Sequence, residues 1–288
     1  MAIKKNAADT SCLPQYALSE AFMERFLDAA HDKDASIVRS ANSEAFKLVD
    51  ASELELDFLR YFFDNQDAFR AEFTSDVLES VPIGAFNDFC DVLRTEWIDG
   101  KGKRNSGRCL RLKRSIHEYL ISSDDYCAEF APPADTVDVE PLISVEELSA
   151  ILTVNNYMIV RHIEAWKQNH PNHDLISDSD IFLRRGLSVS ESFNKEQYVE
   201  HDFLSSYSLA FSVPEKFTQI ARETPALING ELTLFVDRVL FFSPFIPRMK
   251  SAQLEFGVIP SSKPLPLYHQ GSHGGVDEYI LDPAPFHK

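Results

Sequence analysis

Apolar residues recur at helical spacing from Leu18 to about Leu120. In LSEAFMERFLDAAH, Phe22, Phe26 and Leu27 share one helical face behind Ser19 as a cap. ASELELDFLRYFFDNQDAF repeats the pattern with Leu54, Phe58, Leu59 and Phe62 behind Ser52. A third helix is predicted from Ile83 to Trp97 and a fourth from Cys109 to Ile121, which together read as a helical bundle. The rhythm breaks at FAPPADTVDVEP, Phe130 to Pro141, where two adjacent prolines and several acidic residues predict a boundary. Beyond it, Ser144 and Glu147 form a capping-box pair that opens one or two helices over ISVEELSAILTVNNYMIVRHIEAWKQ. The period then shortens: DIFLRRGLSV, ELTLFVDRVLFF and QLEFGVIP are β-branched and aromatic runs bounded by proline, glycine or serine, and predict strands. The expected fold class is α+β, with a helical domain over residues 1–135, a candidate target-binding unit, and a mixed domain over residues 142–288.

A length of 288 residues agrees with two domains, and 44% apolar residues with 22 phenylalanines supply the core of a folded protein. The net charge of -17 argues against a general binder of nucleic acid or anionic membrane, since the mean field repels phosphate. Seven basic residues nevertheless gather between positions 101 and 114. That run lacks the spacing of a phosphate-binding loop; it reads as a solvated face, or as a docking patch in which Arg108, Arg111 and Arg114 meet an acidic partner. No run matches a membrane span, and the start MAIKKNAADTS lacks the apolar core of a signal peptide. A soluble protein is expected, cytoplasmic or delivered into a host cell by a route that needs no cleavable signal. The four cysteines, Cys12, Cys90, Cys109 and Cys127, fit neither zinc nor redox spacing and are expected to be reduced thiols. His170 and His173 read as a polar turn, and His269 and His273 as part of a mobile tail, so no metal is expected.

The candidate chemistry centres on QLEFGVIPSSKP. Alternation along a strand places Gln253 and Glu255 on one face, about 6.6 Å apart, with Leu254, Phe256 and Val258 turned to the core. Glu53 and Glu55 repeat the triplet, but in a helical segment, where positions two apart diverge around the axis. Upstream, DLISDSDIFLRRGLS carries the pair Arg185 and Gly186, and HDFLSSYSLAFSVPEKF carries the triplet Ser205-Ser206-Tyr207. Twenty residues separate Arg185 from Ser205, and fifty separate Ser205 from Glu255.

In order and spacing these three segments resemble the arginine, serine and glutamate strands of mono-ADP-ribosyltransferases, over residues 142–288. The resemblance implies two small packed β-sheets with flanking helices around NAD⁺, and transfer of ADP-ribose to a protein with release of nicotinamide, as bacterial toxins and effectors do. It implies that Glu255 stabilises the ribosyl cation, that Ser205 orients the ribose and supports Glu255, and that Gln253 faces the acceptor. Arg185 and Gly186 would meet the phosphates, with Ser206 beside them. Arg184 stands where the family often has an aromatic residue, which leaves Arg184 and Arg185 both as candidates for the NAD⁺-binding arginine. Gln253 resembles the Gln-x-Glu motif of clostridial Rho-modifying toxins, which modify asparagine. Two other readings share the fold: an NAD⁺ glycohydrolase, with water as acceptor, and a non-catalytic binding module.

Overall fold

The computed structural model describes residues 60–97, 107–122, 138–169, 181–191, 193–200, 203–209, 214, 223–251, 254–261, 263–273 and 275–281. The helix expected at LSEAFMERFLDAAH, the turn at His170 and His173, most of the Phe130 to Pro141 boundary, and Gln253, Cys12 and Cys127 lie outside them.

Helix α1, Gln66–Leu78, buries Phe69, Phe73 and Val77, which are spaced by four and so share a stripe. Helix α2, Ile83–Val92, follows Pro82 and widens into a π-helical segment, Leu93–Trp97, so that the two together fill the predicted Ile83 to Trp97 helix. Helix α3 covers Gly107–Ile121. Helix α4, Val145–Asn169, is one continuous helix of 25 residues. Its capping box forms: the Glu147 amide donates to Ser144 Oγ at 3.2 Å and the Ser144 amide to Glu147 Oε2 at 2.8 Å.

Among the described residues eight strands follow: β1 Phe182–Val189, β2 Gln197–Tyr198, β3 Ser205–Ser208, β4 Thr224–Glu231, β5 Val239–Phe242, β6 Glu255–Val258, β7 Leu265–His273 and β8 Val276–Leu281. They are hydrogen-bonded in the order β2-β7-β8-β4-β1-β3-β6-β5, antiparallel except for the parallel pair β4 and β8. Instead of two separate sheets there is one mixed sheet with a narrow seam. Four-residue β3 pairs along its whole length with β6, and β1 meets it through the single register pair Arg184 with Ser208.

One strand expectation changes, and strands β4 and β7 form where none was expected. ELTLFVDRVLFF is a strand only at Glu231, which ends β4, and over β5; between them the chain makes two 3₁₀ turns, Leu232–Leu234 and Val236–Arg238. Strict alternation would put Phe235 and Asp237 on one face, yet Phe235 is buried 4.5 Å from the Tyr207 ring while Asp237 is exposed, and the turns separate them. The central strand β4, TPALINGE, is buried from Ala226 to Glu231 and so shows no alternation. The expected tail at His269 and His273 is strand β7, paired with β8 from Leu267 to His273 and with β2 at Leu265 and Pro266.

One apolar cluster joins helices and sheet, from Phe62 to Leu281. Phe62 meets Phe242 of β5 edge-on at 5.3 Å, and Asn155 of α4 donates to Leu240 O at 2.7 Å. Cys90 and Cys109 are buried thiols inside this cluster, and burial pushes the Cys90 thiol up to about 12. At Gly257 the packing is closest: a Cβ there would lie 2.0 Å from Cε1 of Phe241. Gly257→Ala is therefore expected to destabilise the protein by about 2 kcal/mol through overpacking, measured as a lowered midpoint in urea with unchanged m-value.

His162 of α4 is clamped between Tyr61, whose hydroxyl lies 3.2 Å from Nδ1, and Glu72 of α1, 3.1 Å from Nε2. Burial and the adjacent Arg161, which also pairs with Glu72, lower His162 to about 4. The unfolded chain, with an ordinary histidine near 6.5, binds the extra proton first. Stability is thus expected to fall by at most about 3 kcal/mol as the pH drops from 6.5 to 4. Denaturation curves of His162→Gln across that window should lack this component.

Candidate active site

The strand that carries Glu255 begins at Glu255 itself. Leu254 just before it has φ of 40°, a left-handed conformation that costs a non-glycine residue about 1–3 kcal/mol. Its amide donates to Ser251 O at 2.9 Å, closing a turn, and its side chain is fully buried, which holds the conformation in place. The strand thus starts at Glu255, and the expected alternation of Gln253 with it falls on a residue outside those described. The Glu255 backbone is then locked to Ser243: its amide donates to Ser243 Oγ at 2.9 Å, and its carbonyl accepts from the Ser243 amide at 2.8 Å.

The half-buried Glu255 carboxylate receives two donors on the same oxygen. Ser206 Oγ lies 2.6 Å from Oε1, and Trp97 Nε1 lies 2.9 Å from it. Among the described residues no donor reaches Oε2. A carboxylate fixed through one oxygen keeps the other for an incoming hydroxyl or developing positive charge.

Strand register decides which candidates share this face. Residues directly opposed in antiparallel strands point to the same side. Arg184 opposes Ser208 and Ser208 opposes Glu255, so all three form one row, with Arg184 about 10 Å from Glu255 at two strand spacings. Ser206 and Gly186, two residues along their strands, lie on the same face. Arg184 is buried beside Asn229, its partner on β4.

Arg185 and Ser205 face the other side. The Arg185 guanidinium sits 5.9 Å over the Tyr207 ring, and Ser205 is 1% exposed with no hydrogen-bond partner for its Oγ among the described residues. The Glu255 row therefore holds Arg184, Ser206 and Ser208; it does not hold Arg185 or Ser205. Ser208 escaped sequence reading because Tyr207 interrupts the serine run. Its signal was the alternation Ser206-Tyr207-Ser208, which only the pairing register turns toward Glu255.

Trp97 was legible only as the end of a helix. Its indole is 2% exposed and stands edge-on to Phe203 at 5.8 Å and Phe241 at 6.4 Å. The basic run beside it is spent largely inside the molecule. Arg108 pairs with Glu96 at 3.1 Å, Arg111 donates to Pro141 O at 3.1 Å, Arg114 bonds Glu118 at 2.7 Å, and Lys113 is buried 4.8 Å over the Phe203 ring.

Behind the site, buried Glu200 fixes the start of β3. Its Oε1 accepts from the Tyr207 hydroxyl at 2.7 Å, and its Oε2 from Arg238 at 2.7 Å and the Ser261 amide at 3.0 Å. Burial, followed by the Glu200 carboxylate, raises the Tyr207 phenol well above its ordinary value, so it stays a donor. An open depression of about 730 Å³, lined by residues including Val189, Ser190 and Thr224, lies elsewhere. Val189 is five residues along β1 from Arg184, about 17 Å, which separates that depression from the Glu255 row. Among the described residues no group of three His, Cys, Asp or Glu side chains is arranged to hold a metal, and no helix is long and apolar enough to cross a membrane.

No protein-family model matches the chain, and no curated protein matches it. Among solved structures it is similar to ADP-ribosyltransferase Vis in complex with M6 inhibitor, with 10% identity and a TM-score of 0.38 over 85% of this chain and 88% of that one.

Arg238→Ala is expected to leave the Glu200 charge underpaired where its side chain is 0% exposed. The loss should be about 3 kcal/mol, read from urea unfolding, with Tyr207→Phe costing about 1 kcal/mol.

Proposed function

We propose that this protein cleaves NAD⁺ and transfers its ADP-ribose to a protein. The observation that supports the reading best is the Glu255 carboxylate, held through Oε1 by Ser206 and Trp97, on one face with the Arg184 guanidinium. In the reaction the bond between C1 of the nicotinamide ribose and the pyridinium nitrogen breaks, and its electron pair leaves with neutral nicotinamide. The acceptor's lone pair forms the new bond to C1, and the acceptor gives up a proton to solvent.

Glu255 is assigned to the ribose hydroxyl and to the positive charge that develops on the ring. Arg184, a permanently charged planar fork, is assigned to the pyrophosphate, with Gly186 permitting close approach on the same face. Ser206 orients Glu255. Gln253, just ahead of the strand, is assigned to the acceptor side, where an uncharged amide offers arginine no ion pair. The sequence resemblance supports the same residues within one register step on β1 and β3.

Incubation of the protein with NAD⁺ labelled in the adenylate and a cell lysate is expected to label a protein band. Glu255→Gln should lower kcat about 100- to 1000-fold. Arg184→Lys should raise KM for NAD⁺ about tenfold or more, and Arg185→Lys should change it less. Free ADP-ribose without a labelled band would instead indicate a glycohydrolase, and neither product a binding module.

A further inference from the structure

We infer that Trp97 is a positioning residue for Glu255, which makes the helical part of the chain a component of the active site. The inference rests on the reading of Glu255 given under Proposed function.

An indole N–H only donates, so a contact at 2.9 Å to Oε1 fixes the acceptor's orientation in one sense. Ser206 approaches the same oxygen from β3, and together the two donors restrain rotation of the carboxylate while Oε2 is left to the substrate. One donor comes from the sheet and the other from a helix that ends 158 residues earlier. Neither half of the chain completes this geometry alone.

Trp97 is itself held from three directions. Its ring is wedged edge-on against Phe203, just before β3, and Phe241 on β5, the ring that fills the space above Gly257. It closes a π-helical segment, whose wider turn displaces residue 97 from the line of helix α2. Its neighbour Glu96 ties that segment to the start of α3, accepting from the Cys109 amide at 2.9 Å and from Arg108 Nε at 3.1 Å. The indole therefore cannot leave Glu255 without breaking buried aromatic contacts, and the Glu96 cap holds the segment that carries it. The free-energy gain of fixing a carboxylate in this way appears in the transition state, when charge develops beside it, more than in binding.

The chain has two tryptophans, Trp97 and Trp166, so the indole region of a ¹⁵N–¹H spectrum of the full-length protein should hold two resonances. Trp97→Phe, which keeps a ring but loses the donor, identifies one by its absence. Glu255→Ala is expected to move the Trp97 indole resonance upfield and leave that of Trp166 in place. In NAD⁺ cleavage, Trp97→Phe should lower kcat about 10- to 100-fold with KM for NAD⁺ within about threefold. An indole resonance that ignores Glu255→Ala overturns the inference, even if Trp97→Phe fails to fold. So does a folded Trp97→Phe protein with wild-type kcat. A wild-type protein that cleaves no NAD⁺ overturns the reaction assigned to Glu255 and the catalytic part of this inference, while the indole shift separately reports whether Trp97 orients the carboxylate.

Discussion

Side chains on neighbouring strands share a face only when they are directly opposed or two residues apart, and a slip of one residue sends every side chain to the opposite face. The row Arg184, Ser208, Glu255 exists because β3 pairs with β6 along its full length and touches β1 at its last residue. Everything proposed for this protein depends on that row. Ser206 reaches Glu255 because it lies two residues from Ser208, and Arg185 is turned to the Tyr207 side because it lies one residue from Arg184. The register is anchored from behind by buried groups: Glu200 grips Tyr207 and Arg238, and Phe256 stacks 4.1 Å from Phe242.

The helical segments are more than an attachment to this sheet. Phe62, Phe69 and Phe245 continue the aromatic packing of Phe242, and α4 reaches β5 through Asn155. On the other face, Trp97 and Lys113 cover Phe203, the residue that leads into β3. The described cations of the basic run each have a partner within the molecule. Arg108, Arg111, Lys113 and Arg114 meet the π-turn, the Pro141 carbonyl, an aromatic ring and a helix-surface carboxylate. A chain with 45 acidic residues offers its cations many internal partners.

One of two left-handed non-glycine residues among those described, Leu254, stands beside Glu255; the other is Arg248. Leu254 takes a left-handed conformation one residue before Glu255, and its full burial keeps it there. The effect is to start β6 abruptly at the carboxylate, with Ser243 bonding the Glu255 backbone on both sides. The turn leaves Glu255 as the first residue of its strand.

Much of this was already decided by the order of residues. Amphipathic spacing fixed α2 with its π extension, α3 and α4, because a period of 3.6 is a local property and the Ser144 to Glu147 cap needs only four residues to form. The runs around Arg184 and Glu255 announced strands for the same reason, as period-2 patterns do. Tertiary structure alone decided which serine and which arginine stand beside Glu255, because a face is chosen by pairing with a distant strand. It also bent ELTLF into turns to bury Phe235, built β4 from a run with no alternation, and brought Trp97 to a carboxylate far along the chain. Local periodicity can name an element and the faces it has; only long-range packing selects the face that meets the substrate.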